Sequence, residues 1–194
     1  MAEVIAMLEE LRNIAPLTAA ATAARFSAQE WRPGGKVREG VETSWDKGGV
    51  GGWIQTSGDG EVSVSFFVWT RDVDESGYFD DLDAVYEQGE QMLAGFLPGI
   101  EESPLAGHLI EAEVTEADGD EFVKLKKWAL DGRVLTAGAI QHDTDLPVMV
   151  VVALEEPGLR AHISAPSLRS APARSRAGGG RRGSVGAAHG PDLG

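Results

Sequence analysis

The chain has 194 residues, contains no cysteine and carries a formal net charge of −14. Without thiols, disulfide staples, thiolate zinc sites and cysteine nucleophiles are excluded, and nothing points to an oxidising compartment, so a cytoplasmic location is expected. With 42% hydrophobic and 25% charged residues, the composition is globular, and it offers no run of about 18 apolar positions from which a membrane-spanning helix is made.

The first thirty residues read as two helices. Val4, Met7, Leu8, Leu11 and Ile14 recur at three- and four-residue spacing, with Glu3, Glu9, Glu10 and Arg12 between them. The opening also lacks a basic n-region and interrupts its apolar run with acids, which argues against a signal peptide. Pro16 ends this segment, and an alanine-dominated helix from Thr18 to about Ala28 follows, with Thr18 as its cap. Only Arg25 on the second helix is placed to touch phosphate, so a helix-turn-helix DNA reader is not supported.

The period then changes to two. Val37, Val41, Thr43 and Trp45 fall on alternate positions, a glycine-rich turn spans Lys47 to Gly52, and Gly51 to Thr56 forms a second strand. The run Gly48-Gly49-Val50-Gly51-Gly52 leads into a strand and lacks a Gly-Lys-Ser/Thr ending, so it reads as a hairpin turn and not as a phosphate loop. Asp59-Gly60 marks the next hairpin. The third strand places Val62, Val64, Phe66 and Val68 on one face and Ser63, Ser65, Phe67 and Trp69 on the other.

A long helix is predicted from Tyr78 to Leu97. Phe79, Leu82, Tyr86, Gly89, Leu93 and Phe96 make its buried stripe, and Asp80, Asp81, Asp83, Glu87 and Glu90 face water. Ser76 is its expected N-cap, the early aspartates suit the positive end of the helix dipole, and Pro98-Gly99 is expected to stop it. Four strands follow: Leu109 to Thr115, Phe122 to Leu130, Arg133 to Gln141, and Pro147 to Leu154. They are separated by Ala117-Asp118-Gly119-Asp120, Asp131-Gly132 and His142-Asp143-Thr144-Asp145. The last strand is apolar on both faces, as suits a central strand covered on both sides. The expected fold class is α+β: a mainly antiparallel sheet of about seven strands in two meanders, with N-terminal helices and one long central helix packed on it. One domain spans residues 1–157. Residues 158–194, rich in Arg, Gly, Ala, Ser and Pro, are expected to be a disordered tail.

Charge is unevenly distributed. Residues 1–157 hold 11 bases and 30 acids, a net of −19, whereas residues 158–194 carry six arginines and one acid, a net of +5. Between Arg71 and Lys124 stand 16 acids and no Lys or Arg. A field of that sign repels nucleic acid and anionic lipid and attracts a basic protein.

Signals for catalysis are weak. His142, Asp143 and Asp145 are the best metal-ligand candidates, but three or four converging ligands are needed and the other histidine of the body, His108, lies on a separate strand. The aspartates also serve to shape the turn before Leu146-Pro147. No Gly-x-Ser-x-Gly elbow occurs. Trp31, Trp45, Trp53, Trp69 and Trp128 all lie in or near the sheet. Phe67 and Trp69, on the second face of their strand, are expected to be either covered by a helix or presented to a partner. Under strict alternation Trp128 shares a face with Lys124 and Lys126.

The stretch Trp128-Ala-Leu-Asp-Gly-Arg-Val-Leu, followed by His142-Asp143-x-Asp145-Leu146-Pro147 and preceded by a helix ending near Trp31, resembles small actinobacterial families of unknown function encoded beside secreted polymorphic toxins. Those families are regarded as immunity-type proteins, and similar layouts occur in acidic secretion-chaperone-like domains. The resemblance covers about residues 5–155, leaves the tail without a counterpart, and carries over no functional residue. With the acidic charge, the leading expectation is a non-enzymatic protein-binding module, immunity- or chaperone-like, that binds a basic protein partner, and no cofactor is expected. Asp80, Asp81, Asp83, Glu87 and Glu90 would form the electrostatic rim and Phe67 and Trp69 the anchors. A small-ligand-binding domain, with its site between the long helix and the sheet, and a hydrolase or metal enzyme around His142 are the alternatives. An apolar second sheet face also leaves a homodimer open.

Overall fold

The computed structural model describes residues 1–72, 78–115, 122–142 and 146–156, with the side chains of the long helix described from Leu82 onward. Helices α1 (Ala2–Arg12) and α2 (Ala19–Ala28) precede strands β1 (Arg32–Pro33), β2 (Val37–Arg38), β3 (Val41–Glu42), β4 (Ser44–Lys47), β5 (Val50–Thr56) and β6 (Val62–Arg71). Helix α3 (Tyr78–Glu101), a 3₁₀ turn (Pro104–His108) and strands β7 (Leu109–Glu111), β8 (Phe122–Leu130), β9 (Arg133–Ile140) and β10 (Val148–Glu155) complete the α+β fold. Among the described residues no helix is long and apolar enough to cross a membrane.

Eight strands form one antiparallel sheet in the order β1-β4-β5-β6-β10-β9-β8-β7, and β2 and β3 make a separate small hairpin. The last strand in sequence sits in the middle, joining the two meanders. Its doubly apolar composition required that place, and all eight of its residues are buried. The tight turns form where positive φ is cheap: Gly48 and Gly49 between β4 and β5, and Asp131 and Gly132 between β8 and β9.

One face of the sheet carries the main core. Val4, Met7, Leu8 and Leu11 of α1, Phe26 of α2, and Leu93, Phe96 and Ile100 of α3 pack there on Val64, Phe66, Trp128, Leu135, Val152 and Leu154. Thr18 caps α2 by accepting from the Ala21 amide at 3.2 Å. Phe26 stacks on Trp45 with centroids 5.3 Å apart and meets Trp31 edge-on at 5.0 Å. Gly52 makes room for it, since a Cβ there would lie 2.6 Å from the Phe26 ring. The opposite face holds a smaller cluster of Phe122, Ile140, Met149, Val151 and Ala153, with Phe67 and Leu125 against it. Among the described residues no helix contributes to it.

Four expectations are corrected. Val37 to Trp45 is not one strand: Glu39 and Gly40 turn at φ 53° and 81°, so the chain makes the small β2–β3 hairpin, and Val37 is 65% exposed. Strand β7 ends at Glu111, well short of Thr115. Helix α3 does not stop at Pro98 but continues to Glu101. The extra turn buries Ile100 completely and brings Glu101 to Lys126, while the carbonyl that Pro98 cannot serve, that of Ala94, belongs to an exposed residue that water can satisfy. The buried stripe of α3 runs through Val85, Gly89, Leu93, Phe96 and Ile100, with Leu82 and Tyr86 half-buried. Ser76, the turn at residues 117–120 and the tail lie outside the described residues.

Candidate functional site

Helix α3 lies across the first sheet face, and its acids divide by whether a lysine of β8 reaches them. Glu90, half-buried, meets Lys124 of β8 at 3.1 Å, and Glu101 meets Lys126 at 2.5 Å. Hydrogen bonding to Glu101 is the main cause that raises the Lys126 pKa above its ordinary value. The Lys126 ammonium also sits 5.6 Å from the Trp128 ring centre, and Trp128 is buried under the helix, on the same face as the two lysines as alternation required. The lysines of β8 thus neutralise Glu90 and Glu101.

Two acids nearer the start of the helix have no such partner among the described residues. Asp83 and Glu87, four residues apart and therefore neighbours on one helix face, are exposed and have no cation within salt-bridge distance among the described residues. Glu102, after the helix, and Glu113, after β7, are exposed and likewise unpaired. Like charges at this helical spacing cost about 0.2–0.5 kcal/mol. Asp80 and Asp81 belong to the first turn of the helix, but their side chains lie outside the described residues.

Between α3 and the β7–β8 edge runs a groove of about 320 Å³, with Leu93, Leu97, Ala112, Val114 and Leu125 as its apolar wall and Glu111, Lys124, Lys126 and Lys127 as its polar rim. It forms because the chain leaves β8 after the bond from the Ala112 amide to the Lys127 carbonyl, so residues 113–115 splay from the sheet. Val114, which lines the groove, is 46% exposed and follows Glu113 in the chain, so apolar surface adjoins an acid.

Phe67 and Trp69 do not share a face. The pairing of β6 with β10 slips between Val150 and Val151, so that Trp69 opposes Val150 and Phe67 opposes Val151, leaving Val68 as the bulged residue. The extra residue breaks alternation and turns Trp69 toward the main core, where it closes over Gly89 of α3. Phe67 remains on the second face.

The histidines are also separated. His108 Nδ1 lies 3.4 Å from Asp131, at the β8–β9 turn, whereas His142 follows the far end of β9. Eight strand residues at about 3.3 Å each put roughly 26 Å between those ends, which removes a joint His108–His142 centre. Asp143 and Asp145 lie outside the described residues. Among the described residues no three His, Asp or Glu side chains converge as metal ligands.

One polar constellation escaped the sequence reading. Arg133, 6% exposed, donates to the Leu11 carbonyl at 2.9 Å, to the Arg12 carbonyl at 3.2 Å and to the Ile14 carbonyl, and pairs with Glu156 at 3.1 Å. It satisfies the open end of α1. Next to it Arg12 binds Asp131 at 2.8 Å, and that hydrogen bond holds the Asp131 carboxyl below the usual carboxylate range. An isolated arginine opening an apolar strand was the available signal. These groups fix helix to hairpin, and Asp131, Arg133 and Glu156 line an open depression of about 480 Å³ together with Asp59 and Glu61.

Comparison with known proteins adds no assignment: no protein-family model, no curated protein and no solved structure matches this chain.

Proposed function

We propose that this chain is a non-enzymatic protein-binding module, immunity- or chaperone-like, whose acidic α3 face docks a basic protein. The observation that carries this reading is the division of charge on and beside α3: Glu90 and Glu101 are tied to lysines, while Asp83, Glu87, Glu102 and Glu113 are exposed with no cation within salt-bridge distance among the described residues. Unscreened over about 8 Å at physiological salt, such a cluster accelerates encounter with a cationic surface. The groove of Leu93, Leu97 and Val114 beside it supplies the apolar contact that sets the lifetime of a complex. This groove, and not Phe67 or Trp69, is the anchor in the present reading. The experiment is capture of partners from a lysate, with the intact chain and an Asp83→Lys/Glu87→Lys/Glu102→Lys variant as parallel baits at low and high salt. A basic protein held by the first at low salt and not by the second supports the reading; equal capture by both counts against it.

A further inference from the structure

Strand β5 contains two adjacent glycines, and packing accounts for only one. Gly52 is required because Phe26 occupies the space of its side chain. Gly51 is not: its φ lies outside the left-handed region, and a Cβ would sit 3.6 Å from Phe67, an ordinary contact. Glycine inside a strand costs stability relative to alanine and packs nothing. Its effect here is to leave a floor open. On the second sheet face, away from α3, Gly51, Trp53, Phe67, Thr70 and Met149 line a depression of about 270 Å³.

Lys36 stands at its rim, with Nζ 4.9 Å from the Trp53 ring centre. Among the described residues this ammonium has no carboxylate within salt-bridge distance, on a protein with 31 acids. Trp31 and Trp45, which pack on Phe26, are buried, whereas Trp53, like Trp69 of β6, is half-exposed.

We propose that this depression receives the C-terminal residue of a partner polypeptide, its apolar side chain resting on Gly51 between Trp53 and Phe67 and its α-carboxylate against Lys36. The volume lies just below the range of about 300–1,000 Å³ typical of whole small-molecule sites and suits one large side chain. The apolar lining selects a Phe- or Leu-like group, and the ammonium, without a salt-bridge partner among the described residues, selects an anion beside it. The site is independent of the acidic face and stands or falls separately from it.

The test is a titration of the full ¹⁵N-labelled chain with N-acetyl-Gly-Phe, its C-terminal amide, and octanoate. The proposal expects the free acid to shift the Gly51 and Phe67 amides and the Trp53 indole, and the amide to bind about fivefold more weakly. Lys36→Met should erase that difference, and Gly51→Leu should abolish binding of both peptides. If Gly51→Leu does not fold, the Lys36→Met comparison decides alone. Absence of shifts with acid at several times the concentration of the chain, equal binding of acid and amide, or tighter binding of octanoate than of the peptide would each overturn it.

Discussion

Arg133 donates to the carbonyl of Leu11 at 2.9 Å from a strand 122 residues further along the chain, and so closes the end of helix α1 from the sheet side. The guanidinium also reaches the carbonyls of Arg12, the last residue of α1, and of Ile14 just beyond it, and Glu156. Removing it would orphan those carbonyls and leave Glu156 unpaired. Arg133→Met should therefore lower unfolding free energy by about 2–4 kcal/mol, and Arg133→Lys should restore less than half, since one ammonium lacks the fork. Urea denaturation of the three proteins measures it.

The glycine pair of β5 gives a contrast within one strand. Gly52→Ala drives a methyl into the Phe26 ring and should cost about 1–3 kcal/mol by displacing the stack with Trp45. Gly51→Ala should be neutral or stabilising by up to about 1 kcal/mol. Thermal melts of both variants decide whether the two positions differ as the packing requires.

The Arg12–Asp131 pair fixes a pH dependence. The carboxyl of Asp131 has a folded pKa below its unfolded value, chiefly through the hydrogen bond from Arg12. Its contribution is present above the unfolded value of about 3.9 and is lost as pH falls through the folded one. Asp131→Asn should therefore flatten the fall in stability below about pH 4, as read from urea midpoints on either side of that pH.

These outcomes bear on how far the sequence could be read. Helices α1 and α2 and strands β8 to β10 were legible because their apolar periods are clean and their turns carry Thr18, Asp131 and Gly132 where caps and positive φ need them. The central place of β10 followed from Val148 to Leu154 being apolar on both faces. Three features were not legible, each for a physical reason. A bulge at Val68 is one extra residue with no composition of its own, yet it moved Trp69 to the other face. Pro98 is a strong local stop signal that lost to the distant burial of Ile100 and the ion pair of Glu101. The acids of α3 read as one solvated face because their partners, Lys124 and Lys126, lie at least 25 residues away in the chain.

Pro98 itself yields a prediction. Its ring denies α3 one hydrogen bond in the last turn, so Pro98→Ala should stabilise the fold by about 1 kcal/mol, less than the cost of proline in a helix interior because the turn is terminal. A fall in stability would instead mean that the ring packs in a way its exposure does not indicate.

The account turns on the carboxylates on and beside α3 that have no salt-bridge cation among the described residues. Its most direct test is the association rate of the basic protein captured by the intact chain, measured against ionic strength for that chain and for the Asp83→Lys/Glu87→Lys/Glu102→Lys variant. The rate should fall about tenfold or more in the variant at low salt, and its dependence on salt should flatten. Equal rates with equal salt dependence for the two proteins would contradict it.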